Sequence, residues 1–250
     1  MSSPIDHIEF KRQAVQPVEC IKAGWELIKG QYWLFVGIVI VGMLVGSVVP
    51  LGILMGPMMC GIYLCLLQTR RGQPIEFAML FKGFDYFGNA VVATLLHMIP
   101  IMVVLVPVYI AYIIGMTTIM GTSQNRGGQP DPGVLLGFFG FFGVVWLGIM
   151  LLIIILSVVF TFAYPLIVDR GLSGVNAVKL SIRAALANFW RLLGMMLLTG
   201  LLTSCGVLLC FVGVYLIVPI SFAAIACAYE QVFGLAEPES HLPPPPPSFT

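Results

Sequence analysis

Four long apolar runs without Asp, Glu, Lys or Arg constrain this chain more than any other feature. They are Trp33–Gln68, Asn89–Gly121, Val134–Val168 and Leu192–Tyr229. A membrane-spanning helix needs about 20 predominantly apolar residues, so each run can supply at least one span. Charged residues make up 9% of the chain, against roughly 25% in a soluble domain. We therefore predict an all-α integral membrane helical bundle.

Two of the runs contain internal breaks, which sets the expected number of spans. Pro50, Gly52, Gly56 and Pro57 interrupt the first run, and Gly206–Gly213 interrupts the last. Each interrupted run predicts a hairpin, which gives six spans with the two uninterrupted runs. The first hairpin is short: either two tilted helices cross the bilayer, or the hairpin enters and returns on the same side. We favour two crossings.

Amphipathic segments precede three of these membrane segments. The stretch Val18–Tyr32 repeats apolar residues every three or four positions, with Glu and Lys on the opposite face. Phe77–Phe87 carries an aromatic stripe, and Val175–Phe189 again shows helical spacing. This pattern is typical of helices that lie in the membrane interface. We predict that the three segments lie on one side of the membrane.

The distribution of positive charge predicts which side that is. With six spans, eleven of the twelve basic residues fall on one side: Lys11, Arg12, Lys22, Lys29, Arg70, Arg71, Lys82, Arg170, Lys179, Arg183 and Arg191. Only Arg126 falls on the other side. Because cytoplasmic loops are enriched in Lys and Arg, both termini are expected in the cytoplasm.

The chain also contains an internal repeat. A shift of 157 residues places Val18 on Val175, Lys22 on Lys179, Trp33 on Trp190 and Gly37 on Gly194. After an insertion of five residues, Pro57 falls on Pro219 and Cys65 on Cys227. The repeat is parallel, because both units enter from the same side. The segment 75–168 is a candidate degenerate middle copy.

These features divide the chain into three parts. Residues 1–17 form a polar lead-in without the features of a signal peptide. The membrane domain is expected over 18–234, with repeat units 18–68 and 175–230. Residues 235–250 contain the run Pro243–Pro247 and predict an extended, disordered tail. The tail is either a docking segment for a partner protein or a spacer.

Short motifs along the membrane domain carry a resemblance to a known family. They are Gly56-Pro57, Gly61-Ile62-Tyr63, Arg71-Gly72, Phe81-Lys82-Gly83-Phe84, Tyr164-Pro165, Asp169-Arg170-Gly171 and Ala177–Ser181 leading to Asn188-Phe189-Trp190. This string resembles uncharacterised bacterial multi-pass membrane proteins related to the membrane domain of glycerophosphodiester phosphodiesterases. The soluble catalytic domain of those enzymes is absent from this sequence. The resemblance implies a helical bundle in the bacterial inner membrane.

Basic residues of the amphipathic segments are candidate lipid contacts. Lys22, Lys29, Arg170, Lys179, Arg183 and Arg191 would form a cytoplasmic basic layer. Each such charge near an anionic membrane contributes on the order of 1 kcal/mol to binding. The alternative is that these residues only set the topology.

His97 is the one ionisable His, Asp, Glu, Lys or Arg residue inside a predicted span. Intramembrane ionisable residues often mark functional sites, and His can relay protons near neutral pH. No span offers His97 an acidic partner. A neutral imidazole in a structural role is the alternative.

Signatures of catalysis and of cofactor binding are absent from the sequence. It contains no H-E-x-x-H or G-x-S-x-G motif, no pair of carboxylates within a span, and no Cys-x-x-Cys metal motif. We therefore predict no enzyme activity, no cofactor, no metal site and no nucleic-acid partner. The leading interpretation is a protein that organises lipids or partner proteins through its interfacial helices. The alternative is a transporter or channel for an uncharged or lipidic solute, which would require a polar path or cavity between the spans.

Overall fold

A computed structural model of the protein describes residues 8–49, 52–125, 127–207 and 212–236. Within these ranges helices, turns and loops account for the chain, without a strand. The α-helices in these ranges are α1 Pro17–Ile28, α2 Tyr32–Val48, α3 Met55–Arg70, α4 Phe87–Asn125, α5 Pro132–Phe160, α6 Ala163–Arg170, α7 Gly174–Ala187, α8 Phe189–Val207 and α9 Val212–Phe233. Segments of 3₁₀ helix, Lys29–Gln31 and Phe77–Tyr86, lead into α2 and α4. The predicted all-α class is confirmed.

Some of the sequence predictions concern residues outside the described ranges, namely Arg126, Pro50 and the Pro243–Pro247 run. The predicted break at Gly206–Gly213 is described only at its two ends. There Gly206 and Gly213 approach closely, since a Cβ added to Gly206 would lie 2.7 Å from the carbonyl carbon of Gly213.

Five helical segments in the described ranges are long and apolar enough to cross a membrane. They are Pro17–Val48, Phe77–Asn125, Pro132–Arg170, Phe189–Gly206 and Gly213–Phe233. The sixth predicted span corresponds to α3, which has 16 residues and is shorter than the roughly 20 needed for a perpendicular crossing. The first hairpin is therefore the short one, as its sequence predicted.

The helices α4 and α5 are much longer than the others. At 39 residues, α4 is about 58 Å long, whereas α2 has 17 residues. Pro100 and Pro107 lie inside α4. The parts of α4 and α5 nearest the turn that joins them contact each other through aromatic rings. The ring centroids of Tyr112 and Phe138 lie 5.4 Å apart. Most other large side chains there are exposed, which fits a lipid-facing hairpin.

Helix α1 packs lengthwise against α9 and runs antiparallel to it. The order follows from three contacting pairs: Cys20 with Gln231, Gly24 with Ala224, and Tyr32 with Leu216. A Cβ added to Gly24 would lie 2.7 Å from the Ala224 backbone nitrogen. Only glycine permits this approach, so Gly24 brings the first and last parts of the chain together.

A similar close approach joins the 3₁₀ segment Phe77–Tyr86 to α3. A Cβ on Gly83 would collide with the backbone of Pro57 and Gly61, and a Cβ on Gly61 would collide with Leu80. In a 3₁₀ helix, residues three apart share a face. Leu80 and Gly83 are accordingly buried against α3, while Phe81 is 44% exposed on another face. The sequence pattern predicted a helix here, and the structure has a 3₁₀ segment that packs closely on α3.

Helix α7 contacts the junction between α5 and α6 through a polar side chain. The Ser181 hydroxyl donates to the Val159 carbonyl at 2.7 Å and accepts from the Phe162 backbone nitrogen at 3.1 Å. These two groups lie where α5 ends and α6 begins. A buried backbone nitrogen at a helix start requires such a partner. Ser181 therefore fixes α7 against this break.

The lead-in to α1 is packed against the bundle. Val15 is fully buried, and Ile8 and Phe10 pack against a core to which α1 and α3–α9 all contribute. The Lys11 backbone nitrogen donates to the Val232 carbonyl at 2.8 Å. The described part of the predicted polar lead-in thus belongs structurally to the membrane domain.

Candidate functional site

The ends of α3, α6 and α9 meet in a group of charged and hydroxyl side chains, which we call the hub. Its members are Arg70 of α3 and the next residue Arg71, Asp169 and Arg170 of α6, and Tyr229 and Glu230 of α9. Each of these helices is followed or ended by a glycine with positive φ: 70° at Gly72, 59° at Gly171 and 69° at Gly234. Glycine adopts this left-handed conformation without steric cost, so it ends the helix at a defined point.

Asp169 is the central acceptor of the hub. Its side chain is fully buried, and its carboxylate accepts from Arg71 Nη2 at 2.5 Å and from the Tyr229 hydroxyl at 2.7 Å. The backbone nitrogen of Ala236 donates to the same carboxylate at 3.1 Å. A buried carboxylate is stable only when such donors replace its water. Asp169 therefore connects α6 to α3, to α9 and to the segment after α9.

A second ion pair joins α3 directly to α9. Arg70 donates through Nε and Nη2 to the same Glu230 carboxylate oxygen, at 2.7 and 2.6 Å. Both side chains are about one-quarter to one-third exposed, at 26% and 35%. Charge-assisted hydrogen bonds of this kind fix orientation as well as adding energy. The three helix ends are thus held together in pairs.

Two of the six predicted lipid-contacting cations make hydrogen bonds within the protein. Arg170 Nη2 donates to the carbonyl of Phe233 at 2.9 Å, and the Arg170 side chain is only 24% exposed. Arg191 Nη1 donates to the Val15 carbonyl at 3.3 Å while its residue stays exposed. Arg170 was expected in the layer of lipid-contacting cations, but its side chain faces the hub.

The other four predicted cations are exposed, and they lie beside large apolar side chains. On α1, the exposed stripe contains Val18, Lys22, Trp25 and Lys29. Lys29 also forms an ion pair with Glu26 one helical turn away.

On α7, the corresponding stripe contains Val175, Lys179, Arg183 and Leu186. The predicted apolar faces of both helices included Val18, Val175 and Leu186, yet these side chains point outward. The buried faces instead use small residues, such as Gly24 and Ala177. Small residues let the helices approach closely.

The 3₁₀ segment adds an exposed aromatic face. Its outward side chains are Phe77, Phe81, Phe84 and Phe87, which are 39%, 44%, 37% and 42% exposed. Lys82 and Asp85 are exposed beside them. Such a mixture of rings and charges is typical of the layer between hydrocarbon and headgroups.

A cavity of about 260 Å³ lies between α3, α4, α5, α6, α8 and α9. Four methionines from three of these helices, α3, α4 and α8, contribute to its wall: Met55, Met59, Met98 and Met196. Tyr63 and Ile225, each nine residues before the glycine that follows its helix, also line it. The cavity and the hub therefore lie one above the other along the same helices.

His97 lies at this cavity. Its ring meets the Phe160 ring edge-on, with centroids 4.7 Å apart. No hydrogen bond joins the imidazole to another described residue, and no described acidic side chain pairs with it. The predicted intramembrane polar site therefore lies at a mainly apolar cavity.

Sequence reasoning missed Asp169, Tyr229 and Tyr63 as site residues. Asp169 lies two residues before Gly171, and Arg71 lies immediately before Gly72. Both glycines follow a long apolar run, and this shared position was the available signal. Tyr63 offered no signal, because its burial beside the cavity depends on contacts with distant helices.

Among the described residues, no group of three or more His, Cys, Asp or Glu side chains is placed to hold a metal ion. A scan against protein-family models, a search of curated proteins and a search of solved structures each found no match.

Proposed function

We propose that the protein is a non-enzymatic multi-pass membrane protein that organises anionic lipids at one membrane face. The observation that carries this proposal is the pair of exposed stripes on α1 and α7. Each combines lysine with large apolar residues, and each leads to a tryptophan at the start of the following helix. Trp33 is 75% exposed and Trp190 is 80% exposed. Tryptophan rings favour the headgroup layer, and neighbouring cations attract anionic lipid.

The same stripes support the internal repeat that the sequence predicts. Exposed positions recur at the shift of 157 residues: Val18 and Val175, Lys22 and Lys179, Glu26 and Arg183, Lys29 and Leu186, Trp33 and Trp190. Close contacts recur as well. Gly24 contacts α9 at Ala223, the 3₁₀ segment contacts α3 at Gly61, and Ser181 contacts residues on either side of Phe160.

Ala223, Gly61 and Phe160 each lie eleven residues before a left-handed glycine. We infer three units in a closed ring, in which each leading segment packs on the last helix of the unit before it. The leading segment of the first unit, α1, packs on α9, the last helix of the third unit, and so completes the ring. This arrangement would place all three leading segments around the hub end of the bundle.

We place the hub end in the cytoplasm of a bacterial cell, with both termini on that side. The support for this orientation is the asymmetry of basic residues, because eleven of twelve belong to the same predicted face. The docking of a partner protein on Pro243–Pro247 lies outside the described residues and stays a prediction.

Lipid-specific quenching of tryptophan fluorescence tests this function. The protein is reconstituted with Trp146→Phe, which leaves Trp25, Trp33 and Trp190 of the stripes. At equal mole fraction, brominated phosphatidylglycerol should quench these residues more strongly than brominated phosphatidylcholine. K179Q/R183Q should reduce that preference several-fold, since each charge contributes about 1 kcal/mol. K179R/R183K, which keeps both charges, should retain it. Equal quenching by both lipids would rule the proposal out.

The cavity favours one form of the alternative function. Transport of an ion would require a polar path through the bundle, whereas the cavity beside His97 is mainly apolar. A lipidic solute is compatible with these walls. Uptake of a fluorescent fatty alcohol into proteoliposomes, compared with protein-free liposomes, tests that alternative.

A further inference from the structure

Polar groups without partners line the cavity between α3 and α9. Tyr63 is 3% exposed and lines the cavity, yet its hydroxyl has no hydrogen bond to any described residue. Nearby hydroxyls are paired: Tyr164 lies 3.1 Å from the Thr94 hydroxyl, and Thr161 donates to the Ser157 carbonyl at 2.8 Å. Among the described residues, the buried side-chain nitrogen and oxygen atoms without a partner are Arg71 Nε and Arg170 Nε, so the Tyr63 hydroxyl is open to the cavity. It can donate a hydrogen bond to a ligand there or accept one from it.

The other unpartnered groups face the same space. The His97 imidazole and the Ser157 hydroxyl line the cavity and make no side-chain hydrogen bond among the described residues. Together with Tyr63 they offer donors and acceptors from three different helices. The cavity wall contains no Lys, Arg, Asp or Glu. An ionised ligand would therefore lose its hydration without gaining a counter-charge.

The remaining wall is suited to a hydrocarbon chain. Four methionines contribute to it, with Phe160, Phe222 and Ile225. Methionine adapts its shape to an irregular apolar ligand because its side chain is unbranched and flexible. The volume of about 260 Å³ is near the lower end of small-molecule sites, which span roughly 300–1,000 Å³. This space suits one chain better than a two-chain lipid.

The hub determines how such a ligand would enter. Arg71, Asp169 and Tyr229 are hydrogen-bonded together at the ends of α3, α6 and α9, which also line the cavity. Entry from that end would require these buried bonds to break. Entry from the bilayer between helices requires no charged group to move.

We propose that this cavity is a binding site for a single aliphatic chain that carries one uncharged hydrogen-bonding group, such as a hydroxyl. The chain packs against the methionines, and its polar group bonds to Tyr63, His97 or Ser157. This site is separate from the exposed stripes of α1 and α7. If no such ligand binds in the cavity, the proposed lipid-organising function of the stripes is unaffected. If the stripes do not organise lipid, the cavity site is likewise unaffected.

Photolabelling in proteoliposomes tests the site. The probe is hexadecanol with a diazirine in the middle of its chain, and labelled peptides are mapped by mass spectrometry. Labelling should concentrate on the segments that contain Met59, Met98 and Met196, and an excess of unlabelled hexadecanol should compete with it. Loss of one hydrogen bond in Tyr63→Phe should weaken that competition about threefold to tenfold. Tyr112→Phe, which removes a hydroxyl outside the cavity, should leave it unchanged.

A second variant keeps the test independent of Tyr63. Met59→Trp should fill the space and abolish the competed labelling, with the thermal unfolding midpoint measured to show that the variant folds. Two results would overturn the proposal. One is labelling spread over lipid-facing residues such as Leu44 without competition by hexadecanol. The other is stronger competition by hexadecanoate than by hexadecanol, because a charged ligand has no counter-charge in this cavity.

Discussion

At the scale of single residues, Asp169 links more of the chain than any neighbour in the hub. Its buried carboxylate accepts hydrogen bonds from α3, from α9 and from the segment after α9. Arg71 in turn donates to the Ala236 carbonyl at 3.1 Å. Asp169, which stands immediately before Arg170 and a left-handed glycine, thus accepts more of the hub's hydrogen bonds than Glu230, the other carboxylate there.

Asp169→Asn should destabilise the folded protein by roughly 3 kcal/mol. The amide keeps the shape of the side chain but leaves Arg71, 23% exposed, without its counter-charge, and unpairing a buried ion pair costs about that much. The unfolding midpoint in mixed detergent micelles measures the effect. Glu26→Gln, which breaks the exposed pair with Lys29, is the matched control and should cost at most about 1 kcal/mol. Equal effects of the two substitutions would contradict the central role of Asp169.

At the scale of helices, close backbone approaches decide the packing. Gly24, Gly61 and Gly83 each occupy a position where a Cβ would meet backbone atoms of another segment. Small residues such as Gly24 and Ala177 lie at the buried contacts of α1 and α7, whereas Val18, Val175 and Leu186 remain exposed. Which side chains remain exposed on each helix thus depends on how its opposite face packs.

Gly24→Ala should separate α1 from α9 and destabilise the protein by about 1–3 kcal/mol. The added methyl group would overlap the Ala224 backbone, and overpacking of a close contact has costs of this size. Gly30→Ala is a suitable comparison, because nothing lies within 4 Å of a Cβ there. The thermal unfolding midpoints of both variants, measured in the same detergent, give the difference in stability. A Gly24→Ala variant as stable as Gly30→Ala would show that α1 does not pack in this way.

Local patterns predicted these helices better than they predicted the inward faces. The spacing from Val18 onward identified the start of α1 to within one residue, because helix starts are local events, whereas the predicted segment ran to Tyr32 and α1 ends at Ile28. The inward face could not be predicted, since a hydrophobic pattern does not distinguish lipid from protein as the apolar surroundings. The 3₁₀ segment Phe77–Tyr86 packs closely on α3, and the Arg71–Asp169 bond joins residues 98 positions apart. Such long-range contacts leave no periodic signal in one sequence.

At the scale of the whole molecule, charge and burial divide the bundle into two ends. The hub and the leading segments carry most of the charged side chains that the structure describes. The α4–α5 hairpin extends away from them with exposed apolar residues. Long uncharged runs made this membrane character predictable, whereas the cavity and the hub depend on how helices that are distant in the sequence converge.

Labelling from each side of the membrane should confirm the proposed orientation. In a variant whose six native cysteines are replaced by alanine, Lys22→Cys and Lys179→Cys should react with a membrane-impermeant maleimide only in inside-out vesicles. Gln129→Cys, in the turn between α4 and α5, should react only in right-side-out vesicles. The expected difference follows from the excess of basic residues on one face. Reaction of Lys179→Cys in intact cells would reverse the assignment.

The packing of α1 on α9 would close the proposed ring of three units around the cavity and the hub. Cys20 Sγ lies 3.2 Å from Gln231 Oε1, so Q231C should form a disulfide with Cys20 when the other native cysteines are replaced. A protease site inserted between positions 127 and 131 separates the two cysteines into different fragments. After oxidation and cleavage, the fragments should migrate together on a non-reducing gel and separate on reduction. A control with Val175→Cys, exposed on α7, in place of Q231C should give separate fragments in both conditions. Separate fragments for Cys20 with Q231C before reduction would contradict the closed ring.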